Sequence, residues 1–209
     1  MKSLITLSLV CFAMSFCGLS DKLKSMTAGS NSSSNSSATS KNSSSTSIEK
    51  PQLTASQQSI SDSATETKWD EQGLSWKLPA GWKKMEVKKQ TFNYQSPDNA
   101  FLLVNISEMS SDFPMDSSRQ AEYDQALQQM KSGHYSKARM LEIDGIPGVE
   151  FMEAPPEEKD GIRRYQWIGY RNYLGQNQML NVMLSTSKAN FDKHSDDFPA
   201  ILYSMKSTK

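Results

Sequence analysis

The side chains able to do chemistry in this chain of 209 residues are few and scattered. There are two histidines, His134 and His194. His194 lies three residues after Phe191, with Asp192, Asp196 and Asp197 nearby, a mixture that could hold a metal only if the groups converged. Acidic residues beside a proline such as Pro199 serve more often as helix caps and solvated charge, and that is the expectation here. His134 follows Gly133 at what reads as a helix C-terminus, where the dipole favours a cation. Glu157, Glu158 and Asp160 form a carboxylate cluster whose spacing does not match a calcium loop, so they read as a solvated charged loop. There is no Gly-x-Ser-x-Gly elbow, no Gly-rich phosphate loop and no zinc-protease helix motif. Both cysteines, Cys11 and Cys17, sit at the amino end, so no thiol nucleophile or disulfide is available further along. The pattern points to a non-enzymatic domain without a cofactor or metal.

Two groups of residues could instead recognise a partner. Lys83, Lys84, Lys88 and Lys89 beside Trp82 make a basic patch, which edge strands also use to prevent sheet-to-sheet pairing. Tyr165, Trp167, Arg171 and Tyr173 alternate along one strand face, with Tyr170 on the other. Tyr, Trp and Arg dominate interface hot spots, so this face is a candidate partner surface; the alternative is that a helix covers it as core. The 23 basic and 23 acidic residues balance, which gives no overall steering toward nucleic acid.

The elements that must position these residues begin at Leu74-Ser75-Trp76-Lys77-Leu78, an alternating strand read as an edge strand, stopped by Pro79 and turned at Gly81. Short strands follow over 82–87 and at Phe92 and Tyr94, then Phe101–Ile106, apolar on both faces and so an inner strand. Ser117 and Gln120 form a capping-box pattern that predicts a helix start, with Tyr123, Ala126, Leu127 and Met130 on one stripe and Gly133 as the stop. Arg139–Ile143 is a strand, turned by Asp144-Gly145; Pro147-Gly148 predicts a longer, irregular connection before Val149–Glu153. Arg163–Leu174 and Gln178–Thr186 form a long hairpin with Gly175 at the corner. Phe191, Phe198, Ile201, Leu202 and Met205 place a closing helical stripe around Pro199. All four Trp, all seven Tyr and six of the eight Phe lie from Trp69 onward, so one core is expected there. The fold class is therefore α+β: a mostly antiparallel twisted sheet covered by two amphipathic helices.

Before that core, Met1-Lys2-Ser3 and an apolar run to Phe16 read as a signal peptide, residues 1–16. Ser15-Phe16-Cys17-Gly18 resembles a bacterial lipobox with a larger residue than usual at Phe16; Cys17 would be lipidated and become the first residue. Cleavage after Ala13-Met14-Ser15, giving a periplasmic or secreted protein, and an uncleaved anchor are the alternatives. Residues 17–67 are rich in Ser, Thr and Asn and read as a disordered tether that offers little to bury. A flexible stretch of that kind spans about 35–40 Å, enough to lift a domain over residues 68–209 clear of a bilayer.

The span Leu74-Ser75-Trp76-Lys77-Leu78-Pro79-Ala80-Gly81-Trp82 resembles the opening of the PsbP-like fold. Asp144-Gly145-Ile146-Pro147-Gly148 is similar to that fold's mid-domain turn, and Ile201-Leu202-Tyr203-Ser204-Met205 to its closing helix. The group includes PsbP subunits of photosystem II, Mog-type Ran-binding proteins and DcrB-like bacterial envelope lipoproteins. The resemblance implies a mostly non-catalytic PsbP-like sandwich with no shared catalytic motif. Together these readings give a non-catalytic lipoprotein of the cell envelope, anchored to the outer or cytoplasmic membrane through Cys17, that binds or assembles with an unknown envelope protein. A small-ligand or lipid-binding domain, and a hydrolase with a hidden site, are the alternatives.

Overall fold

A computed structural model describes residues 47–208. The expected signal peptide, Cys17 and the first part of the expected tether lie outside the described residues.

Two antiparallel sheets and four helices account for the described residues. The first helix, α1 (Ala55–Ser63), leads into β1 (Thr65–Trp69) and β2 (Leu74–Leu78). Then come β3 (Lys83–Lys88), β4 (Thr91–Gln95), β5 (Phe101–Met109), α2 (Met115–Lys131), β6 (Tyr135–Ile143) and β7 (Ile146–Glu153). The chain continues through β8 (Ile162–Tyr173), β9 (Gln176–Ser187), α3 (Lys188–Phe191), α4 (Asp197–Tyr203) and β10 (Lys206–Ser207). The large sheet has the order β3-β4-β5-β9-β8-β7-β6 and the small one β1-β2-β10. The α+β class and the central places of β5 and β9 agree with the sequence pattern.

Each face of the large sheet has its own core. On one face, Leu102, Val104, Leu180, Val182 and Leu184 pack with Trp69 and Trp76 of the small sheet and with Phe198, Ile201 and Leu202 of α4. On the other, Ala126 of α2 packs against Val149, Phe151, Ile168 and Tyr170. The helical stripe of α2 reaches that core through Ala126 and Tyr123, while Met130 is exposed. Gly148 and Gly169 face each other across β7 and β8. A Cβ on Gly169 would stand 2.0 Å from the Trp167 ring. The two glycines make the slot in which that indole lies, and its Nε1 donates to the Leu141 carbonyl at 3.0 Å.

Four sequence expectations are corrected. Strand β2 is the middle of its sheet, because β1 and the chain's end, β10, flank it. The N-cap of α2 is Pro114, three residues earlier than the Ser117 pattern suggests. Asp144 and Gly145 take φ of 49° and 82° and form a tight hairpin turn, so Pro147 and Gly148 are already inside β7. Pro147 is tolerated because pairing with β8 begins only at Gly148.

The fourth concerns residues 47–67, expected to belong to a disordered tether. Glu49 bridges β6 in parallel, with Glu142 N–H donating to its carbonyl at 2.9 Å. Thr54 caps α1 reciprocally with Gln57, and Ser56 and Gln57 donate to Asp196 at 2.8 and 3.1 Å. This segment is held by capping, hydrogen bonds and strand pairing, so its polar composition does not prevent order.

Candidate functional site

Alternation along β6 places Lys137, Arg139 and Leu141 on the sheet face that carries Trp167. Register sets Glu150 of β7 opposite Arg139 on one side and opposite Trp167 on the other. Glu150 has no solvent exposure, which an isolated carboxylate could not sustain. Its Oε2 takes hydrogen bonds from Arg139 Nε at 2.5 Å and Lys137 Nζ at 2.8 Å. Its Oε1 accepts from the hydroxyls of Tyr165 and Tyr203, which are themselves 2.8 Å apart. Arg139 reaches further, to the Tyr203 hydroxyl at 2.9 Å and to Glu49 at 2.7 Å.

Burial alone would raise the Glu150 carboxyl; the Arg139 hydrogen bond and the Lys137 charge overcome it and hold the group below the ordinary carboxylate range. Burial and the same carboxylate push the Tyr165 and Tyr203 hydroxyls upward. With four donors on its two oxygens, Glu150 has little basicity left to offer a substrate, so this cluster ties β6, β7, β8 and α4 together.

Next to it lies a cleft of about 310 Å³ between the sheet and the closing helices. Met152, Phe191, Phe198 and Pro199 give it an apolar lining, with Lys137, Arg163 and His194 also at its wall. The cations are matched: Lys137 by Glu150, and Arg163 by the Glu153 carbonyl at 2.9 Å and by Asp192 at 3.7 Å. His194 is buried, with Nδ1 2.9 Å from Asp197, Nε2 3.1 Å from Asp98 and its ring stacked on Phe198. Asp98 is held below its usual value first by the Ser96 hydroxyl. His194 thus ties the β4–β5 turn to α4. Among the described residues no three metal-ligating side chains converge.

The expected partner surface is mostly interior. Tyr165 and Trp167 are 2% and 0% exposed, because the small sheet and the closing helices cover that face of β8. Arg171 is also buried and lies over the Tyr173 ring at 4.3 Å. It donates from Nε to Gln178 at 2.9 Å and from Nη2 to the Gln72 carbonyl at 2.7 Å. His134 is exposed just past the end of α2, and its backbone N–H closes that helix on the Gln129 carbonyl. Glu157, Glu158 and Asp160 are exposed. The lysines at 83, 84 and 88 sit on β3, the open edge of the large sheet, and Lys88 and Lys89 pair with Glu86 and Glu108. The residues the sequence does not single out are Glu150, Arg139 and Tyr203. Their one signal is a lone Glu between Val149 and Phe151 in an apolar strand.

No family model and no curated protein matches this chain. Solved structures do. LpqN of Mycobacterium tuberculosis, described as involved in cell envelope biogenesis, superposes with a TM-score of 0.50 at 11% identity, over 70% of this chain and 86% of that one. The cyanobacterial PsbP of Synechocystis gives 0.45 at 15% identity, over 70% and 93%. The Saccharomyces cerevisiae Ran-binding protein Mog1p gives 0.42 at 10%, over 69% and 95%. A Bacteroides thetaiotaomicron protein matches 66% of this chain at 16% identity and a TM-score of 0.43, but only 46% of its own length is covered. The LpqN superposition shows that the chain shares that protein's fold, and the sheet order and closing helix agree with the resemblance seen in the sequence.

Proposed function

We propose that this protein is a non-catalytic binding or assembly module of the cell envelope, held to a membrane through a lipid on Cys17 and carried clear of it by the Ser-rich segment that follows. The observation that carries this reading is the apolar run ending in Ser15-Phe16-Cys17-Gly18 ahead of a long polar tract. The saturation of Glu150, the most deeply buried carboxylate beside a cleft, supports a binding rather than a chemical role. The fold shared with an envelope-biogenesis protein is compatible with it. The test is incorporation of radiolabelled palmitate. Label on the wild-type chain, lost in Cys17→Ser, is the expected result; a wild-type chain without label removes the anchor.

The apolar cleft under the closing helices supports a second reading, a small apolar or lipid ligand. Its cations already have partners, so an uncharged chain or ring would suit it best. A fluorescent long-chain alcohol titrated into the full chain is expected to bind saturably and to be excluded by Met152→Trp. Equal binding to both proteins would place the probe elsewhere.

A further inference from the structure

A second cleft, of about 470 Å³, opens beside the start of β7, where pairing with β8 begins only at Gly148 and leaves the last residues of β8 without a partner on that side. It is lined by the first turn of α2, the β6–β7 turn, the end of β8 and the residues after β10. Its volume is within the range of small-molecule sites. Two guanidinium groups line it, Arg119 from α2 and Arg171 from β8, together with Tyr170 and Tyr173.

The charges here are not balanced as they are in the first cleft. Among the described residues Arg171 has no carboxylate partner; Gln178, Gln72 and Ser207 accept its hydrogen bonds, and all are neutral. Burial lowers its guanidinium to about 10, so it stays charged at neutral pH, with only neutral acceptors and the Tyr173 ring to offset the cost of desolvation. Arg119 pairs from Nη2 with Asp116 at 3.0 Å, an acid on the exposed surface. Its Nε is buried with no acceptor, and Nη1 makes no bond to the described residues. The other acid lining the cleft, Asp144, is already engaged by Lys206 Nζ at 3.2 Å and the Ser207 N–H at 2.8 Å. At the rim, Leu174 is 87% exposed with φ of 51°. That is a costly conformation for a branched apolar residue, and it holds an aliphatic group in solvent beside the two aromatic rings.

We propose that this cleft binds a small organic acid, a carboxylate on an aromatic or branched apolar body, with Arg119 as its direct partner and Arg171 supplying the unmatched positive charge. Beyond its one bond to Asp116, Arg119 keeps both Nη1 hydrogens and one on Nη2, and Arg171 keeps one on Nη1, enough to meet both oxygens of a carboxylate in the planar fork that a guanidinium presents. Tyr173, Ile146 and Leu174 give the apolar body its contacts.

The test is a calorimetric and NMR titration of the full chain with N-acetylphenylalanine, its uncharged amide, and phenyl phosphate. Saturable binding of the acid is expected, with shift changes at Arg119 and Tyr173 and with the amide weaker by about tenfold or more. Arg119→Gln, on the partly exposed helix turn, is expected to reproduce that loss in a normally folded protein. Arg171→Gln is expected to do the same if it folds; should it unfold, Arg119→Gln decides. No binding, equal binding of acid and amide, shifts confined to the cleft at Phe191 and Phe198, or undiminished binding by Arg119→Gln would each overturn the proposal. Tighter binding of phenyl phosphate would overturn the choice of carboxylate.

Discussion

Glu150 concentrates on one side chain what elsewhere is spread over the surface: two cations and two phenols converge on a carboxylate with no access to water. Replacing it by glutamine keeps the shape but leaves Lys137 without its carboxylate and Arg139 with Glu49 alone. Glu150→Gln is expected to cost about 2–4 kcal/mol in urea unfolding. The pH dependence has a definite sign. The folded carboxyl lies below its unfolded value of about 4.3, so the unfolded chain binds more protons in between. The stabilisation is complete above the unfolded value and is lost as pH falls through the folded one. The wild-type stability curve should therefore drop more steeply than that of Glu150→Gln between about pH 5 and pH 3. Parallel curves would remove the cluster as a contributor. The sequence shows Glu150 as an oddity in an apolar strand and no more, because its partners come from residues 11 to 53 positions away and meet it only through sheet register and the docking of α4.

At the scale of elements, strands with strong alternation were readable: β5, β8 and β9 match their patterns closely because burial on their faces leaves little choice of register. Two things escaped. The slot for Trp167 depends on two glycines brought together by pairing, which composition does not reveal. The segment from 49 to 67 was hidden by its polarity, since it docks through Thr54, Ser56, Gln57 and the β1 ladder rather than through a stripe of apolar side chains. A chain beginning at residue 68 would lose α1, most of β1 and the bridge to β6. It is expected to melt roughly 6–12 °C below one beginning at residue 47, the equivalent of about 3 kcal/mol at this size. Coincident melting curves would mean that the segment is bound but contributes nothing.

For the whole molecule, the site was less readable than the fold. Tyr165 and Trp167 have the composition of a hot spot, yet a second sheet assembled from both ends of the described chain lies over them. Arg171 and Tyr173 remain beside an open cleft because β7 pairs with β8 only from Gly148 onward. The proposed anchor has a consequence at this scale as well. Cys17→Ser should move the protein from the membrane pellet to the soluble fraction with its melting temperature unchanged, since none of the contacts described above involves that residue. Retention in the pellet would mean that something other than the lipid holds it there.

The two margins of the large sheet are unequal. Residue 49 bridges β6 at Leu141 and blocks a continuous ladder along that border, whereas β3 at the opposite border carries lysines and a register shift and, among the described residues, no covering strand. A sheet that can add a neighbour on one flank alone has no way to propagate through its own ladder. Should two copies ever join through β3, growth would end at the pair, and the protein would be protected from fibre formation by its own geometry.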